Sequence, residues 1–480
     1  MSVQPELLLE YDLLPLNHPM RLRVLLRLVG ALTLDTGNRR KMNVGLVIDR
    51  SGSMAGDKMR YTKLAADMLV NNLSAQDILS VVQYDDRIEV LLPPEYVTRK
   101  DVVKQAIHRL EARGSTNLSG GWLEGCRQVD SRRADDLTNR VMLISDGQAN
   151  QGIVDIEKLT ALAEEKYKLG IATTTMGLGK DYNEDLMSAI ARAGGGAYYF
   201  IESPESLPAI FQEELNGLLG VVAQNITAEV RGEADGVKFI GQMNDYPSEK
   251  TAHGLLIRMG DAYAEEVKAV VLEFDIPAVA EAGQRTLATI TLRWDDLIQI
   301  GAAREISLNV SADFSGDVTS PQKQNPGVTE AALLLEAARA REEAIRQADR
   351  GNMTGASSST RSVTQSMRDF AGKSTTSAMF KRTMDDLDSE TQEMDETGDM
   401  PAFLRKKMSN AAHQQKYSSN EKQERLRKIE DEAANQAPKT PVVADEKFAD
   451  AHFDINDSNV DTDLDDFQID DDDLDIESQP

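Results

Sequence analysis

Asp49, Ser51 and Ser53 place three oxygen-bearing side chains at alternate positions, directly after the apolar run 44–48. Gly52 permits a tight bend between the hydroxyls, so the oxygens can converge on one point, and such a set suits a hard divalent cation. Ser or Asp ahead of a helix at 58–72 is equally an ordinary cap. The triplet alone leaves both readings open. Two further stretches carry related chemistry: Thr116 lies in a polar Gly-Ser-Thr-Asn-Leu loop that opens a helical pattern, and Asp146 ends a second apolar run, 141–145, in Ser-Asp-Gly.

The elements that must position these residues follow from hydrophobic periodicity. The run at 44–48 lacks polar alternation, as in a parallel strand covered on both faces, and open α/β sheets bind ligands at the carboxyl ends of such strands. Similar runs at 78–83, 141–145, 171–176 and 197–201, with 88–92 as an antiparallel edge, alternate with helical patterns at 58–72, 99–111, 118–129, 156–169, 184–193 and 206–219. This order predicts an α/β, doubly wound, Rossmann-like domain over residues 42–219. Residues 21–29 instead alternate apolar and polar positions, as do segments between 226 and 314, separated by Gly, Pro or Asp turns. That pattern predicts an antiparallel β-sandwich over 220–320, with residues 1–40 contributing a strand. A helical region with flexible linkers is expected at 328–435, where Ser357 to Thr360 form either part of a return helix or a phosphorylatable linker.

Composition narrows the function classes. The net charge is −27, and residues 441–480 hold 15 acidic side chains against one Lys, which predicts a disordered acidic tail over 436–480. Its spaced apolar residues, Phe453 and Phe467 among them, suit folding onto a basic partner. No broad basic surface is available for nucleic acid. One cysteine, Cys126, excludes an intramolecular disulfide and a multi-cysteine zinc site. Neither a secretory leader nor a run long enough to span a membrane is evident, so a cytoplasmic protein without membrane attachment is expected.

Asp49-x-Ser51-x-Ser53, Thr116 and Asp146, in this order, resemble the metal-ion-dependent adhesion site (MIDAS) of von Willebrand factor type A (VWA) domains. The segments from Gly177 and from Gly194 resemble that family's later strands and loops. The wider order of elements is similar to bacterial VWA proteins related to inter-alpha-trypsin-inhibitor heavy chains. The resemblance implies that Ser51, Ser53 and Thr116 offer hydroxyls to a metal while Asp49 and Asp146 bind it directly or through water. Mg²⁺ is the implied ion, with Mn²⁺ or Ca²⁺ as substitutes, and its open position would take an Asp or Glu of a partner protein.

A metal-dependent protein-interaction module, a cytosolic scaffold or adaptor, is therefore the expected function. An alternative is a VWA subunit of an ATPase-driven complex; with no Gly-x-x-x-x-Gly-Lys-Ser/Thr loop in this chain, the ATPase would act in trans. A metal-dependent hydrolase is a third class, but it needs a positioned base. No histidine adjoins the motif loops, and Asp57 and Asp85 fall at a helix start and a turn. No catalytic residue is therefore assigned.

Overall fold

The computed structural model describes residues 2–31, 40–134, 136–147, 149–232, 236–252, 254–298 and 302–436. The acidic tail, and with it the expected basic partner, lies outside the described residues.

Strands β1 (Val3–Leu9), β2 (Tyr11–Pro15) and β3 (Met20–Gly30) open the chain. Next come β4 (Lys41–Asp49), α1 (Asp57–Asn72), β5 (Ile78–Tyr84), β6 (Ile88–Tyr96), α2 (Lys100–His108), α3 (Leu118–Asp130) and β7 (Leu137–Ser145). They are followed by α4 (Ile156–Lys168), β8 (Ile171–Leu178), α5 (Glu184–Ala193), β9 (Gly195–Ile201) and α6 (Leu207–Leu219). Strands β10 (Val221–Gly232), β11 (Lys238–Gln242), β12 (Ser248–Lys250), β13 (Leu255–Tyr263), β14 (Val267–Ile276), β15 (Gly283–Asp296), β16 (Ala302–Ser315) and β17 (Gln322–Gln324) come next. Helices α7 (Pro326–Asp349), α8 (Met353–Ala371), α9 (Ala378–Thr397), α10 (Ala402–Tyr417) and α11 (Asn420–Gln436) complete the described chain.

Strands β4 to β9 form a six-stranded sheet in the order β6-β5-β4-β7-β8-β9, parallel except for the β5–β6 pair. The aliphatic runs of β4, β5, β7 and β8 are buried almost throughout, as strands covered on both faces must be. Leu69 of α1, Ile107 of α2 and Phe211 of α6 pack over Leu46 and Met142 on one face. On the other face, Trp122 of α3, Leu159 of α4 and Ile190 of α5 pack over Val47 and Leu143. Helix α3 approaches the sheet closely: a Cβ on Gly121 would lie 2.4 Å from Tyr84, and one on Gly125 would lie 2.3 Å from Val47. The glycines weaken intrinsic helicity, yet they let the first turn of α3 reach the sheet's carboxyl edge.

The remaining strands build a sandwich. One sheet has the order β1-β3-β14-β11 and the other β12-β13-β10-β15-β16-β2-β17. Their alternating inward residues, including Leu22, Leu26, Phe274, Ile290, Leu292 and Trp294, share one core. The expectation of a purely antiparallel sandwich is corrected, because β2 runs parallel to β16, pairing Leu13 with Asp313 and Leu14 with Phe314. The cause is the corner at Glu10: β1 pairs with β3 in one sheet, and the chain then crosses to the other, between β16 and β17. The α/β domain is thus inserted between β3 and β10.

Helix α7 lays Val328, Ala332 and Leu335 on Leu25 and Val271 of the four-stranded sheet. Ser357 to Thr360 lie within α8, where Thr360 is buried and its hydroxyl meets that of Thr391 at 2.7 Å. Helix α10 runs along the free edge of β9. There Asn410 Oδ1 accepts from Phe200 N at 3.2 Å, His413 Nε2 accepts from Tyr198 N at 3.2 Å, and Gln414 Nε2 donates to Tyr198 O at 2.8 Å. Side chains here do the work of a neighbouring strand, closing an edge that would otherwise invite pairing. Helix α11 then packs on α6, with Leu426 joining the apolar layer of α1 and α6.

Candidate functional site at the carboxyl edge of the sheet

Strand β4 ends at Asp49, and the chain turns through a single 3-10 turn, Gly52–Met54, before α1 begins. The cap of α1 is Gly56, which has no side chain to offer, so Asp49, Ser51 and Ser53 do not cap that helix. Their polar atoms point elsewhere. Asp49 Oδ1 accepts from Ser51 N at 2.8 Å, and Asp49 Oδ2 accepts from the Ser145 hydroxyl at 2.6 Å. The Ser51 and Ser53 hydroxyls meet at 3.1 Å, and Ser53 donates to Asp146 Oδ1 at 2.8 Å. Thr116 lies beside them: a Cβ on Gly147 would sit 2.7 Å from Thr116 Oγ1 and 3.5 Å from Asp49 Oδ2. Glycine at 147 is what allows this approach.

The backbone locks the three loops together. Gly52 N donates to Gly114 O at 3.1 Å, and Asn150 N and Gln151 N both donate to Thr116 O at 3.2 Å. Asn117 caps α3 by accepting from Gly120 N. Asp85, which reads in the sequence as a turn residue, is buried at their centre. Its carboxylate accepts from Arg87 N at 2.7 Å and pairs with Arg50 and Arg113, each at 3.0 Å, while its carbonyl accepts from Asn117 N. Burial opposes that charge, but the backbone bond and the two guanidinium groups still hold Asp85 below the usual carboxylate range.

Asp49 is balanced differently. Burial pushes its carboxyl up to about 6, against the bonds from Ser145 and Ser51 that favour the charged form. Beside it the fully buried Tyr84 hydroxyl completes no hydrogen bond of normal geometry. Asp146 is buried too, but Lys58 in the first turn of α1 brings Nζ to 2.5 Å from its Oδ2. Lys58, Ser145, Tyr84 and Asp85 are the participants the sequence motifs did not single out.

The donor set does not fit the implied metal. Among the described residues no three His, Cys, Asp or Glu side chains gather where they could hold a metal ion. The two acids present, Asp49 and Asp146, are engaged internally, the second by an ammonium group. The expected MIDAS function, its Mg²⁺ with Mn²⁺ or Ca²⁺ as substitutes, and a partner Asp or Glu captured by the metal are all withdrawn on this ground. The loop cluster, as built, is a hydrogen-bonded network in which Lys58 pairs with Asp146 and Asp49 is held by hydrogen bonds alone.

Residues 43–213 match the von Willebrand factor type A domain. An uncharacterised protein of Synechocystis sp. is 28% identical over 305 residues, which cover 62% of this chain and 71% of that protein. The YfbK protein of Escherichia coli is 30% identical over 190 residues, 39% of this chain, but only 33% of the bacterial protein is spanned. A von Willebrand factor type A structure from Catenulispora acidiphila superposes with a TM-score of 0.65 at 17% identity, covering 80% of this chain and 89% of that one. These likenesses establish a VWA-like α/β fold with mixed sheets and flanking helices. Type A domains, the family that residues 43–213 match, are in general non-catalytic adhesion or adaptor modules.

The cytoplasmic placement is also corrected. The fold gives no ground for a cytoplasmic location. No helix among the described residues is long and apolar enough to cross a membrane.

Proposed function

We propose that this chain is a non-catalytic adaptor that binds a protein partner through the loop rim at the carboxyl edge of the six-stranded sheet. Residues 42–219 act as the binding domain. The sandwich of residues 1–40 and 220–320, with the helical region 328–435, acts as its frame. The carrying observation is the convergence of Asp49, Ser51, Ser53 and Asp146 in one hydrogen-bonded chain, with Thr116 beside it and Ser53 exposed at its surface. Three loops from distant parts of the sequence are held in register around that chain. Open α/β sheets bind their ligands at this edge, and loops on a rigid scaffold are where binding residues concentrate.

The partner meets hydroxyl and backbone groups rather than a bare cation, so recognition is by directional hydrogen bonds. The test is affinity capture from extracts of the source organism on immobilised full chain, comparing wild type, Ser53→Ala and Thr116→Val, each with and without EDTA. Partners held by wild type should be lost from both variants and unaffected by EDTA. Capture that survives both substitutions would place the interface elsewhere, and capture abolished by EDTA would overturn the metal-free reading.

A further inference from the structure

The α/β domain, the sandwich and the helical region meet around a cavity of about 70 Å³, lined from every side. Strand β9 contributes Gly195 and Gly196, β13 and β14 with the turn between them contribute Arg258, Tyr263, Glu266 and Lys268, and α4 and α5 contribute Tyr167 and Arg192. Helices α10 and α11 close it with His413, Tyr417 and Lys422. A water molecule takes up roughly 30 Å³ of liquid, so the space exceeds a single water.

In a chain of net charge −27 the lining is cationic. Arg192, Arg258, Lys268 and Lys422 face one carboxylate, Glu266. Three of these five charges are satisfied away from the cavity: Arg258 pairs with Glu249 at 2.8 Å, Lys422 with Glu214 at 3.1 Å, and Glu266 with Arg425 at 2.9 Å. Lys268 and Arg192 are different. Lys268 donates to the Asp261 carbonyl at 2.7 Å, with the Asp261 and Glu266 carboxylates favouring its charge from beyond ion-pair distance, and the exposed Arg192 has no ion pair among the described residues. The Tyr167 and Tyr263 hydroxyls on the lining likewise have no hydrogen-bond partner there, whereas those of Tyr246 and Tyr417 donate to Ala269 O and Asp245 O.

Withdrawing an ammonium group from water without an anion is costly. A partly buried ammonium group, a guanidinium at the solvent-facing rim and two phenolic hydroxyls therefore converge on one small cavity, a set of donors that suits an anion. We propose that this cavity binds a tetrahedral oxyanion of the phosphate class, held by Lys268 and Arg192 and by the hydroxyls of Tyr167 and Tyr263. Charge-assisted bonds of this kind are the strong ones. Burial pulls Lys268 down to about 8, and a bound anion would favour its charged form. Because Lys268 belongs to the sandwich and Arg192 to the α/β domain, the anion would also tie the two together. The cavity adjoins a larger cleft of about 300 Å³ that shares Tyr246, Tyr263, Glu266 and Lys268. The oxyanion can therefore be free, or the terminal group of a phosphomonoester whose organic part lies in that cleft.

The experiment is thermal unfolding of the full chain, titrated with inorganic phosphate, sulfate or glycerol 3-phosphate at constant ionic strength against chloride. A saturable rise of about 2–4 °C is expected near a hundredfold excess over Kd. Lys268→Met keeps the aliphatic stem and Arg192→Met alters an exposed side chain, and each should weaken binding at least tenfold. Tighter binding of glycerol 3-phosphate than of phosphate assigns the ligand to the phosphomonoesters, and equal binding assigns it to free oxyanions. If Lys268→Met does not fold, Arg192→Met and Tyr263→Phe carry the test. No anion-specific shift, or an unchanged Kd in the variants that fold, would overturn the proposal.

Discussion

Asp49 and Glu214 are both buried carboxylates of the α/β domain, and their surroundings pull in opposite directions. Asp49, at the end of β4, has two hydrogen bonds, no cation of its own, and a carboxyl pushed by burial up to about 6. Glu214, on α6, is equally buried, yet it accepts from Thr174 at 2.7 Å, Tyr199 at 2.6 Å and the Lys422 ammonium at 3.1 Å. Burial alone would raise Glu214, but Lys422 and Arg140, with the two hydroxyls, overcome it and hold the group at about 2. One acid is left electrostatically uncomfortable at the loop rim, whereas the other is satisfied beneath the helices. Perturbed, poorly compensated groups cluster at functional sites, and fully compensated ones serve the frame.

The difference has a sign that can be measured. The folded state raises Asp49 above its unfolded value of 3.8, so its contribution is most favourable below about pH 4 and is lost as the pH rises through about 6. Glu214 is lowered from 4.5 to about 2, so its contribution is complete above about pH 4.5 and disappears as the pH falls toward 2.

The largest expected effect comes from breaking the satisfied site. Lys422→Met leaves Glu214 buried without its cation and should cost about 3–5 kcal/mol in urea unfolding at pH 7. Glu214→Leu combined with Lys422→Met should recover much of that loss, because two uncharged side chains leave no orphaned ion. A single variant as stable as wild type would mean that α11 is not docked on α6 through this pair.

The β9 edge gives the next largest effect. His413 accepts a backbone N–H through Nε2 and must be neutral to do so, and burial indeed pulls it down to about 3. His413→Leu leaves Tyr198 N unpaired and should cost about 1–3 kcal/mol. Amide hydrogen exchange should quicken at Tyr198 and Phe200, whose partners lie on α10, and not at the interior strand β4.

Asp49→Asn reverses the sign. Removing an uncompensated buried charge should stabilise the fold by about 1–2 kcal/mol at pH 8, with the gain fading as the pH is lowered through 6 toward 4. Partner capture should fall in the same variant, the usual opposition of stability and function at a strained site. A pH-independent gain would show that Asp49 titrates alike in the folded and unfolded chain, and that burial does not raise it.

The sequence showed the interior of the sheet clearly and its surroundings less so. The run at 44–48 is the buried core of β4, and the alternation at 21–29 is β3, because in both the hydrophobic period reports directly on burial. The interior strands β5, β7 and β8 read equally well. Strands β11 and β12 left no such trace: Lys238–Gln242 and Ser248–Lys250 are short and have no buried position. The parallel course of β2 was not legible because it depends on a crossing between sheets, not on local period. At the site, Asp49, Ser51, Ser53, Thr116 and Asp146 could be named from their resemblance to a family motif, whereas the spacing of the first three alone left a helix cap equally open. Lys58 and Ser145 could not be named, since a lysine in a first helical turn and a serine at a strand end are commonplace residues in commonplace positions. The metal expectation failed at that point: spacing shows where oxygens can meet, not which neighbouring cation already occupies them.

Lys58 is therefore the finest probe of the contrast between the two acids. Its side chain is 22% exposed where that of Lys422 is 7% exposed, so solvent screens its pairing with Asp146 far more. Lys58→Met should cost only about 1 kcal/mol at pH 7, several-fold less than Lys422→Met. Lys58→Arg should restore most of that loss only if the bulkier guanidinium fits against Gly179, where a Cβ would lie 3.5 Å from Lys58 Cε. The comparison is urea unfolding of the three variants side by side. If Lys58→Met proves as damaging as Lys422→Met, the rim is a second structural pair, and the openness that makes it the candidate partner surface disappears with it.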